Sequence, residues 1–325
     1  MKRNKFIRLA AAWLALLLLC SGCSQTAETP AAQKHRVALI AKSTETEFWK
    51  SVFAGAQTAA TEYNLALDIR GPATEEDYET QNAMVAQAVE DGAEVIVFSA
   101  IDYQNNAPAI DAAYAAGVEI VAIDSGVDSR AVSTYIGTDN YAAGQQAAQA
   151  AVNSGAEQLY VGLINYDVSS ANGQERERGV RDALKSQPNV TIVDTVNVLA
   201  AASAAQSGAD QMLARHPQIN VLIAFNEPTC VGAARAVKEL HVSDSVWLVG
   251  FDSNVEAVDG LRTGTVDSLI VQNPYAMGYL GVESAYKLLS GQSGTLEATV
   301  DTETRIVDTA NMFSADSQKA LFAFG

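Results

Sequence analysis

Residues 38–53 read ALIAKSTETEFWKSVF. Four apolar residues run into a polar loop, and a helical pattern then opens with Phe48 and Trp49 side by side. This is the pattern of a short strand handing over to a helix. Adjacent residues on a helix point about 100° apart, so two neighbouring aromatics are not expected to serve one core stripe. One of the pair is expected to face something other than the core.

The same rhythm repeats along the chain after residue 35. The apolar, β-branched runs are RVALIA, LALDIRG, AEVIVFSA, VEIVAIDS, LYVGLIN, VTIVDTV, VLIAFN, VWLVGFD and DSLIVQN. Amphipathic stretches such as EDYETQNAMVAQAVEDG, GQERERGVRDALKSQ and PTCVGAARAVKELH lie between them. Gly92, Gly117 and Gly155 fall where helices should stop. Short buried strands alternating with helices predict an α/β protein with parallel sheets covered on both faces. Nine such units predict two doubly wound domains rather than one long sheet. The segment STYIGTDN follows AIDSGVDSR with no helix between them, which reads as a crossing from one lobe to the other.

The amino-terminal end has a different character. MKRNKFIRLAAAWLALLLLCSGCS carries Lys2, Arg3, Lys5 and Arg8 ahead of an apolar core at 9–19, the pattern of a secretory signal segment over 1–22. It ends in SGC, which resembles a bacterial lipoprotein cleavage site with Cys23 as the acylated residue, although Cys20 stands where leucine is usual. Residues 23–33 read as a tether. Without the four basic residues of the leader, which contains no acid, the formal charge is −21 instead of −17. So acidic a surface argues against nucleic acid as a partner. Cys230 is the only cysteine beyond Cys23, so no internal disulfide is expected in the folded domain.

In open parallel sheets, ligands bind beyond the carboxyl ends of the strands. The residues at those ends are Lys42 with Phe48 and Trp49, Ser99, Asp124 and Ser125, Asn165, Tyr166 and Asp167, Asn226 and Glu227, Asp252, and Gln272 and Asn273. Most carry paired donors or acceptors, which match the vicinal hydroxyls of a sugar. An aromatic ring can lie against the C–H face of the same sugar. Taken singly, Asn226 and Asp252 read equally well as helix caps. Taken together, they point to a polyol site.

The chain after residue 34 resembles the ribose- and galactose-type periplasmic sugar-binding proteins of bacterial ABC importers. The resemblance is carried by VALIAKSTETEFWKSVFAGAQTAATEY, QAVEDGAEVIVFSAID, IDSGV, YIGTDNYAAGQQAA, RERGVRDAL, IAFNEPTCVGAARAV, LVGFDSNVEAVDGLRTGTVDSLIVQNPYAMGYLGVESA and TRIVDTANM. It implies that Phe48 and Trp49 stack on the sugar; the larger ring makes Trp49 the expected main contact, with Phe48 at the rim. It implies ligand contacts from Lys42, Asp124, Arg176 (with Arg178 as the rival register), Asn226, Asp252 and Gln272. Two departures argue against ribose itself: Ser125 stands where ribose binders have arginine, and VLAAAS lacks the aromatic expected there. The implied architecture is two doubly wound parallel-sheet lobes joined by a three-stranded hinge, with crossings near 138, 272 and 301. The amino-terminal lobe would take 34–138 plus 273–301, and the carboxyl-terminal lobe 139–272 plus 302–325.

The expected function is that of an extracytoplasmic lipoprotein, held to the membrane through its lipid, which captures a monosaccharide and delivers it as a monomer to an ABC permease and its ATPase. A sugar sensor that presents its ligand to a sensor kinase or chemoreceptor is the alternative. A repressor of the lactose-repressor kind shares the core, but would begin with a basic helix-turn-helix that is not present here. Catalysis is not expected: the chain has no H-E-x-x-H, G-x-S-x-G, P-loop or G-x-G-x-x-G pattern. His35, His216 and His241 read as surface or cap residues, and no metal or cofactor is expected.

Overall fold

The computed structural model describes residues 34–322. The leader, Cys23, the tether to residue 33 and residues 323–325 lie outside them. The described residues form two six-stranded sheets. The first holds β1 (Arg36–Ile40), β2 (Ala66–Arg70), β3 (Val95–Phe98), β4 (Glu119–Ile123), β5 (Val132–Gly137) and β11 (Thr299–Asp301). Its order is β11-β5-β4-β3-β1-β2, and all of its pairs are parallel. The second holds β6 (Leu159–Tyr166), β7 (Val190–Val198), β8 (Val221–Ala224), β9 (Trp247–Phe251), β10 (Ser268–Val271) and β12 (Arg305–Asp308). Its order is β12-β10-β9-β8-β6-β7, parallel except where β12 runs against β10.

The two sheets therefore repeat one strand order, with a late strand added at the same edge of each. The helices that connect the strands are α1 (Glu47–Glu62), α2 (Tyr78–Glu90), α3 (Ala107–Ala115), α4 (Asn140–Val152), α5 (Ala171–Lys185), α6 (Ala202–Arg215), α7 (Glu227–Glu239), α8 (Val255–Thr263) and α9 (Pro274–Leu289), with α10 (Ala315–Leu321) closing the described chain. The chain passes from one sheet to the other after β5, after β10 and after β11.

Each sheet is buried on both faces, and the period of two along a strand sorts its side chains. On β1, Val37 and Leu39 join the apolar cluster that also holds Trp49, Val52, Ala56 and Val282. Ala38 and Ile40 join the opposite one, with Val85, Phe98 and Ile110. The second sheet has the same two-faced core. Gly92, Gly117 and Gly155 adopt φ of 80°, 91° and 71° just past α2, α3 and α4, the left-handed conformation that ends a helix.

One close approach sets up the site. A Cβ on Gly144 of α4 would come 2.1 Å from the carbonyl oxygen of Arg176 on α5. Only a glycine lets α4 and α5 pack this tightly, and their contact fixes the backbone that carries Arg176.

Candidate ligand-binding cleft

The carboxyl ends of both sheets meet around a cleft whose empty space, part of it open to solvent, is about 300 Å³. Lys42, Phe48, Trp49, Asp124, Arg176, Asn226, Asp252 and Gln272 all line it. So do Thr46, Glu75, Tyr166, Asn172, Glu227 and Pro228.

Each lobe contributes one aspartate at the end of its fourth strand. Asp124 follows β4 and Asp252 follows β9, with φ of 57° and 72°. Asp124 accepts from Ser99 Oγ at 2.9 Å and from Asn172 Nδ2 at 3.2 Å. Asp252 accepts from Gln272 Nε2 at 2.6 Å. Asp252 is not the cap of α8; Asn254 takes that place and accepts from the Glu256 amide. Asn226 does cap α7, in a reciprocal pair with Thr229. The cap uses its Oδ1 and leaves its Nδ2 without a protein partner among the described residues.

Arg176 is only 1% exposed. Its guanidinium donates to Asn140 Oδ1 at 2.9 Å, to the Phe225 carbonyl at 2.7 Å and to Gln272 Oε1 at 2.7 Å, and lies 4.5 Å from the centre of the Phe251 ring. Arg178, the rival register, sits on the exposed side of α5, where it pairs with Glu175 and covers Tyr141. Gln272 also accepts from Thr138 Oγ1 at 2.9 Å, so one amide ties two of the inter-sheet passages to the arginine and to Asp252.

On the other wall, Lys42 Nζ lies 3.5 Å from Glu75 Oε2, donates to Ser170 Oγ at 3.1 Å and sits 5.1 Å from the centre of the Tyr166 ring. Burial opposes its charge, but Glu75, Tyr166 and Asp124 outweigh this and hold its pKa above the ordinary lysine value. Trp49 donates from Nε1 to Glu75 Oε1 at 2.8 Å, and Phe48 meets it edge-on with ring centres 5.2 Å apart.

Trp49 is 1% exposed and belongs to the core cluster under the first sheet as well as to the cavity wall; Phe48 is half-buried. The expectation of one core ring and one cleft ring thus gives way to a tryptophan with both surroundings. The physical reason is that α1 is covered on two sides, by the first sheet and by α9, so more than one stripe of it is buried.

Four carboxylates and two cations line the cavity, and the acids feel the imbalance. Burial, with Asp124 adding repulsion and Arg176 opposing it, pushes Asp252 up to about 6. Burial, with a contribution from Asp252, pushes Glu227 up to about 7. Asp124 is raised chiefly by burial, against the pull of Lys42 and Arg176.

A cleft between two like sheets, lined by planar amides, carboxylates, an arginine and an aromatic pair, is a receptor for a small polar molecule. Residues 37–293 match the family model described as the periplasmic binding protein domain. The chain belongs to the periplasmic binding protein family. It is 28% identical over 306 residues to the D-ribose/D-allose-binding protein of Pseudomonas aeruginosa, an alignment that covers 90% of this chain and 94% of that one. A carbohydrate transporter solute-binding protein of Agrobacterium radiobacter, solved in complex with D-arabinose, superposes with a TM-score of 0.86 at 28% identity, over 90% of this chain and all of the other. An ABC transporter solute-binding protein of Agrobacterium vitis with bound D-fucose gives 0.85 at 27%, over 88% and 99%.

Glu75, Asn172 and Thr46 line the cleft of this binding protein without having been singled out in its sequence. Asn172 was legible in principle, because it stands one helical turn before Arg176 on the same face of α5. Glu75 lies in the loop after β2, the one strand end of the first sheet's leading four that the strand-end reading passed over. Asn165 turns out to be an internal brace, donating to the Gly173 carbonyl and to Glu177. Asn273 is the cap of α9. Among the described residues, no group of acidic, histidine or cysteine side chains is arranged to hold a metal.

Proposed function

We propose that this protein is an extracytoplasmic solute-binding lipoprotein that captures a monosaccharide between its two lobes and presents it to an ABC sugar importer. The observation that carries the reading is the lining of the cleft, where Asp124, Asp252, Arg176, Asn226 and Gln272 supply paired donors and acceptors beside Phe48 and Trp49. The carboxylates accept from hydroxyls, the arginine and the amides donate to them, and the aromatic pair covers the C–H face of the ring. In this reading the amino-terminal lobe is 34–138 plus 273–301 and the carboxyl-terminal lobe is 139–272 plus 302–325. The three passages between them act as the hinge, and closure on the sugar forms the surface that the permease recognises.

The relatives' ligands define the first panel to test: ribose, allose, arabinose and fucose. Native mass spectrometry of the protein as purified is expected to show a co-purified pentose or hexose, and thermal shift with the panel is expected to single out one or two sugars. No sugar bound and no shift with any pentose or hexose would overturn the reading. The anchor has its own test: Cys23→Ala is expected to abolish labelling by a radioactive fatty acid, and equal labelling of the variant would refute the lipoprotein assignment.

A further inference from the structure

We infer that Glu47 and Glu227 are positioning residues which latch the two lobes, each carboxylate capping the helix that the opposite lobe aims at it. The inference rests on the sugar-binding reading above. Glu47 opens α1, over the first sheet; Glu227 opens α7, over the second. Glu227 Oε2 accepts from the Phe48 amide at 2.8 Å, and its Oε1 from the Glu47 amide at 3.2 Å. In return, Glu47 Oε2 accepts from the amide of Val255, the first residue of α8, at 3.0 Å. Asn254 Nδ2, beside that amide, donates to Glu227 Oε1 at 3.1 Å and closes the circuit.

Helix starts leave their first N–H groups without partners inside the helix, and their dipoles favour a negative charge there. Here the local caps serve only part of that need. Thr46 Oγ1 accepts from the Trp49 amide and Asn254 Oδ1 from the Glu256 amide. The amides of Glu47, Phe48 and Val255 are served from across the cleft. When the lobes part, these three donors and both carboxylates exchange each other for water. A third carboxylate also crosses the rim, where Glu76 Oε1 accepts from the amide of Ala200, in the loop ahead of α6, at 2.6 Å, without capping a helix.

The consequence is a division of labour within one glutamate pair. Glu227 lines the sugar cavity, whereas Glu47 is exposed and does not. A ligand's apparent affinity scales with the population of the state that binds it fully. Glu47 therefore sets how long the sugar stays without touching it.

The test follows sugar exchange by stopped-flow tryptophan fluorescence in wild type, Glu47→Ala and Glu45→Ala, which removes the same charge from an exposed residue in the loop just before α1. Glu47→Ala is expected to raise the dissociation rate about fivefold, in keeping with a carboxylate at an exposed helix start, while the association rate stays within twofold. Glu45→Ala is expected to change neither. Small-angle scattering of the sugar-free protein gives a readout that needs no ligand: the Glu47→Ala, Glu227→Gln double variant is expected to show a larger radius of gyration than wild type. An unchanged dissociation rate in Glu47→Ala, or a radius equal to wild type in the double variant, overturns the latch. Failure of every sugar to bind wild type would strike the sugar-binding reading and leave the scattering comparison to decide the latch.

Discussion

Asp124 and Asp252 hold the same position in the two lobes. Each follows the fourth strand of its sheet in a left-handed conformation, and each donates its amide at 3.0 Å to a carbonyl of the fifth strand, Ile136 for Asp124 and Ile270 for Asp252. A non-glycine residue in this conformation is strained by roughly 1–2 kcal/mol, and aspartate tolerates it better than most. The turn lifts the carboxylate off the strand end and into the cavity.

That strain separates two effects of mutation at Asp252. Both Asp252→Gly and Asp252→Ala remove the carboxylate, and a hydrogen bond to a charged group is worth roughly 1.5–3 kcal/mol. Calorimetry is expected to show the cognate sugar bound about ten to a hundred times more weakly by either. Asp252→Gly relieves the strained turn and Asp252→Ala does not, so chemical denaturation is expected to find the glycine variant about 1 kcal/mol more stable than the alanine one.

The raised carboxyls predict a pH dependence with a definite sign. Asp252 at about 6 and Glu227 at about 7 bind protons more tightly in the folded chain than in the unfolded one. Their ordinary values lie near 4. Their contribution to stability is therefore complete below about pH 4 and is lost as the pH rises through 6 and 7. The groups that face them are Arg176, Asp124, Gln272 and Asn254, together with the amides of Glu47 and Phe48. Other carboxylates, such as Asp194 and Glu256, are held low by arginines and act in the opposite direction, so the comparison must be with variants. Between pH 5 and 8 the Tm of Asp252→Asn is expected to fall less, or rise more, with increasing pH than that of wild type; parallel curves would contradict the assignment.

Arg176 and Arg178 differ by two residues and by their whole environment. Removing Arg176 strands three acceptors and leaves Asp124 and Asp252 without their nearest guanidinium. Breaking a buried charge network in this way costs about 3–5 kcal/mol. Arg176→Ala is expected to lose that stability together with sugar binding, whereas Arg178→Ala is expected to stay within about 0.5 kcal/mol of wild type and bind normally.

Trp49→Ala is expected to be costly in both respects. The ring packs with Phe53, Val52 and the first sheet, so truncation should cost about 3–5 kcal/mol. It also removes a cavity wall and the donor to Glu75. Trp49→Phe keeps most of the packing and loses that hydrogen bond. Denaturation is expected to find it more stable than Trp49→Ala, and calorimetry to find sugar binding weakened rather than abolished.

The features legible in the sequence were those set by local pattern. All nine runs became strands: the seven inner ones are apolar and buried, as a parallel strand covered on both faces requires, whereas the edge strands β2 and β7 carry polar residues and are only partly covered. STYIGTDN supplied β5 and the passage after it. By contrast, β11 is three residues, Thr299 to Asp301, with one apolar side chain among them; it is a strand only because the edge of β5 pairs with it. The cavity lining was legible at strand ends and illegible where a loop or a helix face supplies it, as with Glu75 and Asn172. The core side of Trp49 was illegible, because helical spacing reveals how many stripes are apolar, not how many partners cover the helix. The second partner, α9, arrives from more than two hundred residues away.

That distant partner decides the order in which the molecule can be finished. The amino-terminal sheet lacks its edge strand β11, and α1 lacks its cover, until residues 274–301 have been made. The second sheet draws five of its six strands from the unbroken stretch 159–271. A chain emerging from the ribosome amino terminus first therefore holds five strands of each sheet before β11 or β12 exists, and the earlier half waits the longer for its own. During that interval Val52, Gly55 and the flank of α1 that will meet Tyr275 and Gly278 stay uncovered, so the half made first is the half exposed longest to misassociation.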